Sequence, residues 1–357
     1  MIVHRIRLSG VVLWTAMLAM LLLLVLLRGD LAAAHEDESI HFVASDAATY
    51  FTLYQDFYAD LDLKENPALF LIGSPILFMK LAAGDLFLIQ ACNLLLMAVT
   101  LTVAFKCFAT LRGRVVFLIG SLAFPYFLFG FLSLNKEIYA MCSAIFFASY
   151  MVRGRLTHLL AALLLAACAR YYMLFAMLSL LALIPRSGGP RYRWIFALLL
   201  FISLVAPIAK SLVPEYSSED VLEVSGVTGL IFAKIIDFYG YVLVYPIKYL
   251  TLIPLRAYSF LLASGRAGDG MEAIVSIASL VVVVLAFRIL RSRRPASTLV
   301  SKLILAAFVA PITMMWSDIM HWRYYSFVYF FYLFAVVLHF VERHRALPLQ
   351  RAAVLNA

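Results

Sequence analysis

The sequence predicts an all-α, polytopic transmembrane helix bundle, and three observations carry that reading. Of 357 residues, 65% are hydrophobic and 14% charged, with a mean hydropathy of +0.97, whereas soluble domains are roughly 45–50% apolar and 25% charged. Apolar runs of about 20 residues recur, and Val11 to Leu27 and Val115 to Leu134 carry no charge at all. Clusters of Lys and Arg fall at alternate connections between the runs, as cytoplasmic loops require. A water-soluble α/β enzyme, a disordered chain and a coiled coil are excluded, and the strands of a membrane barrel would read as roughly ten-residue alternating segments.

Arg5 and Arg7 precede span one, about 11 to 27. Its 17-residue run is long for a signal peptide, and Arg28 and Asp30 stand before Ala32, Ala33 and Ala34, so it reads as an anchor. The first outer loop, 28–85, follows. Within it, Pro67 to Ala83 resembles a span but cannot be one, because crossing there would put Arg112 and Arg114 outside. With Pro67, Pro75 and Lys80 it reads as a partly embedded outer helix. Span two is about 86 to 105. Spans three to ten are placed at about 115 to 133, 138 to 152, 156 to 169, 171 to 185, 194 to 208, 272 to 287, 303 to 316 and 324 to 341.

Spans five and six are short, but one continuous helix over 156 to 185 would bury Arg170 near the midplane at a cost of about 2.5–3.5 kcal/mol. Two short helices are therefore expected. The segment 209–271 is read as a second outer or re-entrant stretch; its apolar part from Thr228 to Ser264 carries Lys234, Asp237, Lys248 and Arg256, so the span count is ten, or twelve. The chain is one transmembrane domain, 1–357, with both termini cytoplasmic. Most of the 29 Lys and Arg fall on the inner side, with only Glu342 of the 20 Asp and Glu. Net charge of +9 thus has a membrane explanation, and nucleic acid is not called for.

Cys92, Cys107, Cys142 and Cys168 lack CxxC spacing and read as small buried residues rather than a disulfide framework or metal site. Neither Walker-type nor Rossmann glycine patterns occur, and no internal repeat is visible.

The unusual polar residues converge on outer ends of spans, where ionisable groups are costly and suggest function. In the first loop Tyr50, Tyr54, Phe57 and Tyr58 would share one helix face. Asp46 at its start is either an N-cap or a general base that takes the proton of a sugar hydroxyl. Lys136 and Glu137 either cap and open a helix, or Lys136 binds a phosphate or diphosphate at headgroup level. Arg170, followed by Tyr171 and Tyr172, has no packing rationale between apolar helices, and its planar fork suits phosphate oxygens. His321, Trp322, Arg323, Tyr324 and Tyr325 are either an interfacial belt with a snorkelling arginine or a phosphate and sugar site. Three cations on one face would stabilise diphosphate charge without a metal.

In layout these features resemble the GT-C superfamily of integral-membrane glycosyltransferases. Asp46 with Tyr50 matches an acidic motif in a long first outer loop. Asn66 and Pro67, then Gly84 and the run after Asp85, match the Pro-led segment before span two. Lys136 with Glu137, Arg170, and Arg323 with Tyr324 match later positions of bacterial members, over about residues 8 to 190 and 318 to 341. Where many members carry a second acid, this chain has Ala47. The resemblance implies inverting sugar transfer from a polyprenyl-phosphate or diphosphate donor to a glycan, lipid or protein acceptor. It would take place on the non-cytoplasmic face of a bacterial inner membrane. Asp46 would be the base, and Lys136, Arg170 and Arg323 would hold the donor; Tyr50, Glu137, Tyr171, His321 and Tyr324 complete the expected substrate site. No cofactor is expected. A surface-polysaccharide repeat-unit polymerase would use the same arginines, whereas a lipid-linked sugar transporter or flippase would call for paired repeats and midplane polar sites.

Overall fold

The computed structural model describes residues 2–29, 54, 74–132, 134, 136–212, 267–292, 296–314 and 326–342. All of the regular structure among them is helical. Helix α1 (Ile2–Leu26) is followed by α2 (Ser74–Leu81), α3 (Leu86–Phe105), α4 (Leu111–Leu122) and the single turn α5 (Pro125–Leu128). Then come α6 (Glu137–Arg153), α7 (Leu156–Ala169), α8 (Tyr171–Leu183) and α9 (Tyr192–Leu212). The last elements are α10 (Ala267–Arg291), α11 (Thr298–Val309) with a 3-10 continuation (Ala310–Met314), and α12 (Val328–Val337) with a π turn (Leu338–Glu342).

The helix α12 is apolar on every side, and all of its residues are buried, as expected of an element surrounded by others. It packs against α4, α6, α10 and α11. Phe334 meets Phe108 and Phe117 at ring distances of 5.3 and 4.7 Å, and Tyr329 stacks on Phe124 at 4.2 Å. The Tyr329 hydroxyl donates to the Gly120 carbonyl at 2.7 Å. Glycine allows this close approach: a Cβ on Gly120 would lie 2.7 Å from Leu333 Cδ1, so the leucine would have to shift.

Several boundaries coincide with the sequence reading, including 86–105 and 156–169. Asp85 starts α3 by accepting from the Phe87 and Leu88 amides at 3.0 and 3.3 Å. Gly154, at φ 71°, ends α6 in the left-handed region and lets α7 fold back along it. Residues 156–185 form two helices, as expected, with Arg170 at φ −168° and ψ 147° as the extended joint.

One expectation fails. The charge-free run over 115 to 133 is not one span-length helix: α4 stops at Leu122, and Pro125 opens the short α5. The proline removes an amide donor and forces Phe124 into extended backbone, at φ −97° and ψ 101°. The expected outer helix over Pro67 to Ala83 is described only from Ser74, with Pro75 in its first turn. Residues 213–266 of the expected re-entrant stretch lie outside the described residues.

Two sets of connections lie at opposite ends of the bundle. At one end Arg153 donates to the Lys106 carbonyl, Arg114 Nε donates to the Phe108 carbonyl at 3.0 Å, and Lys302 reaches the Pro185 and Arg186 carbonyls. At the other, Gln90 donates to the Leu132 carbonyl at 2.7 Å, Arg28 lies 3.8 Å from Asp85, and Arg170 meets Glu137. The outward surface is apolar: Leu88, Leu95 and Val99 on α3, Leu156, Leu160 and Leu164 on α7, and Ile274, Ile277 and Val281 on α10 are exposed. Charged Arg114, Lys136, Glu137 and Lys302 are buried instead. Among the described residues one helix, α3, is long and apolar enough to cross a membrane.

Candidate functional site

The site is built where α7 turns into α8. Arg170 is the one residue between them, closing α7 through its amide to the Ala166 carbonyl and opening α8 by accepting from the Met173 and Leu174 amides. This double capping fixes its backbone, so its guanidinium is delivered to a defined place. One terminal nitrogen lies 3.4 Å from Glu137 Oε1, with the side chains only 19% and 8% exposed. Another donates to the Tyr172 hydroxyl, and the guanidinium lies 5.5 Å from the Tyr172 ring centre. Glu137 occupies the first turn of α6, where a carboxylate meets the positive end of the helix dipole. Lys136 precedes it as the N-cap residue, without a side-chain cap bond, and is itself buried.

At the same end of the bundle runs an apolar groove of about 510 Å³, walled by α2, α3, α6 and α7 through residues including Phe78, Ile89, Leu96, Leu164 and Cys168. Its polar points are Asn93 and Tyr139. The Tyr139 hydroxyl donates to Asn93 Oδ1 at 2.8 Å, and its ring lies 5.4 Å from that of Phe78. Asn93 Nδ2 is buried with no hydrogen-bond partner among the described residues, a deficit of about 1–3 kcal/mol that a ligand oxygen in the groove would remove. Glu137 and Arg170 do not line the groove but stand near it in the chain: Tyr139 follows Glu137 by two residues, and Cys168 precedes Arg170 by two. Tyr54, from the first loop, packs on the small buried cluster of Met79, Ile89 and Leu134 at this end and lies against Gly84, whose φ is 80°.

Of the residues expected to form a site, the structure joins Glu137 with Arg170 directly and places Lys136 beside them in the chain. The expectation that Arg170 lacks a structural partner is corrected: it ties the start of α6 to the α7–α8 joint. Its aromatic partner is Tyr172; Tyr171, expected in the substrate site, opens α8, and its side chain lies outside the described residues. Asp46, Tyr50, His321, Arg323 and Tyr324 also lie outside them. Asn93 and Tyr139 were missed, although Gln90 and Asn93, three residues apart in an apolar helix, are a readable signal. Cys92 is exposed on the outward stripe of α3, not buried as expected, because it follows Leu88 by one turn and precedes Leu95. Among the described residues no three His, Cys, Asp or Glu side chains gather as a metal-holding group. No protein-family model, curated protein or solved structure matches this chain.

Proposed function

We propose that the chain is an integral-membrane glycosyltransferase of a bacterial inner membrane. It moves a sugar from a polyprenyl-phosphate or diphosphate donor to a glycan, lipid or protein acceptor on the non-cytoplasmic face, with inversion. The membrane part is supported by the exposed Leu, Ile and Val on α3, α7 and α10, with the exposed Arg side chains at the helix ends and loops and Arg114, Lys136, Glu137 and Lys302 buried. A bilayer solvates such a surface and water does not.

The observation that carries the catalytic part is the Glu137–Arg170 pair at the same end of the bundle as an apolar groove that holds the open amide of Asn93. A polyprenyl phosphate is an apolar chain with an anionic head, and a site for it needs an apolar trough ending in planar cationic donors. In this reading Arg170 turns from Glu137 to the donor phosphate, and Lys136 and Arg323 add charge as the phosphate leaves. Asp46 accepts the proton of the acceptor hydroxyl. That oxygen bonds to the anomeric carbon while the carbon–oxygen bond to phosphate breaks, and the lipid phosphate departs with the electron pair. Tyr50, Tyr171, His321 and Tyr324 border the sugar and the lipid.

The test is mass analysis of lipid-linked and surface glycans in cells carrying the wild-type chain, Arg170→Ala or Asp46→Asn at matched abundance in the membrane. Asp46→Asn is expected to lower transfer by roughly 10²–10⁴, and Arg170→Ala to deplete the glycan product. Unaltered glycan pools in both variants would reject the reading.

A further inference from the structure

A second cavity, of about 420 Å³, lies at the opposite end of the bundle, between the ends of α6 and α8 and the start of α11. Its polar wall holds Arg186, Ser187, Thr298 and Lys302, and its apolar wall holds Met151, Val152 and Leu299. Lys302 is only 3% exposed. It donates to the carbonyls of Pro185 at 2.7 Å and Arg186 at 2.8 Å, which leaves the third ammonium proton outside those bonds. The two ion pairs among the described residues are Arg28 with Asp85 and Arg170 with Glu137, so no described carboxylate neutralises Lys302 or Arg186. Among the described residues Lys302 is thus a buried cation held by carbonyls alone, Arg186 is an exposed one beside it, and an anion entering the cavity would offset the cost of the buried charge.

Two backbone features aim further positive potential at the same space. Thr298 and Leu299 open α11, whose cap Ser297 accepts only the Val300 amide, at 3.3 Å. Their own amides have no partner among the described residues, which is the arrangement that receives anions at helix starts. The Arg186 guanidinium, in turn, lies where a side chain on Gly154 would be. Glycine at φ 71° therefore holds open its position at the cavity rim.

We infer that this cavity binds a phosphate group borne on an apolar chain. The phosphate is held by Lys302, Arg186 and the α11 amides, and the first part of the chain lies on Met151, Val152 and Leu299. An anionic phospholipid headgroup is the ligand chemistry that meets both walls; a free phosphate meets only one. The lipid arm rests on the membrane reading above, but the site is remote from the Arg170 end, and its readout is binding rather than sugar transfer.

The full chain, purified in detergent, is titrated with short-chain phosphatidylglycerol, with phosphatidylcholine of the same acyl length, and with inorganic phosphate at constant ionic strength. Binding is followed by thermal unfolding and native mass spectrometry. Phosphatidylglycerol is expected to bind at least tenfold more tightly than phosphatidylcholine, and Arg186→Gln to weaken it about tenfold, the loss of one charge-assisted bond. Because Lys302→Met removes the cap on two carbonyls and is open to misfolding, Ser187→Glu, at an exposed position, is the second variant; its added carboxylate is expected to abolish the preference. Inorganic phosphate matching phosphatidylglycerol, with both variants weakening it, would keep the anion site and remove the lipid. Equal binding of all three probes, or unchanged phosphatidylglycerol affinity in Arg186→Gln and Ser187→Glu, would overturn the inference.

Discussion

Glu137 and Arg170 show how a costly pair becomes an anchor. Taking either side chain out of water alone is unfavourable, so removing one strands the other. Glu137→Ala is expected to destabilise the fold by about 3–5 kcal/mol. Adding Arg170→Ala should recover part of that loss, and thermal unfolding of the two single variants and the double checks the coupling. Tyr139→Phe leaves Asn93 Oδ1 without its 2.8 Å donor and is expected to cost about 1–3 kcal/mol in the same assay. Cys107 lies in the turn after α3, where burial pushes its thiol above the usual value of 9.0 against the opposing effects of Ser149 and Arg153. A variant retaining only this cysteine should alkylate slowly at neutral pH, with a rate still climbing above pH 9.0. A rate that levels at or below the ordinary thiol value would contradict that environment. Arg170 was legible in the sequence because an ionisable residue interrupts two apolar runs. Asn93 and Tyr139 were not, because a neutral amide or phenol scarcely lowers the hydropathy of a helix, and only the fold reveals that they share a groove.

Helix ends were readable where a residue enforces them chemically. Asp85 supplies an acceptor to α3, and Gly154 adopts a backbone that other residues resist. The run from Val115 misled because hydropathy measures affinity for lipid and is blind to the amide that Pro125 lacks. The helix breaks there even though every neighbouring residue is apolar. The same argument gives a sharp expectation for the α6–α7 turn. Gly154→Ala forces an L side chain into the left-handed region, at about 1–2 kcal/mol, and displaces the Arg186 guanidinium from its place over the turn. A lowered unfolding temperature should therefore accompany weakened anion binding. Loss of stability with binding intact would separate the turn from the cavity.

At the scale of the molecule, the two ends are chemically unlike. Lys106, Arg114, Arg153, Arg186 and Lys302 gather around one set of connections, whereas Glu137, Arg170, Asp85 and the groove mark the other. A bilayer sorts such a chain by its Lys and Arg, which gives the proposed sidedness its physical basis. The catalytic proposal then requires Asp46, which the bundle does not describe, to share a compartment with Arg170. In a cysteine-free background, Ala47→Cys and Ala83→Cys are expected to react with an impermeant maleimide applied to intact spheroplasts. Ser187→Cys should react only after the membrane is opened. Position 83 belongs to the turn between α2 and α3, at the Arg170 end, and position 187 lines the anion cavity, so the pair calibrates the two faces. If position 47 labels together with 187 and apart from 83, the carboxylate and the guanidinium face different solutions across the bilayer. No proton could then pass from an acceptor held at the groove to Asp46.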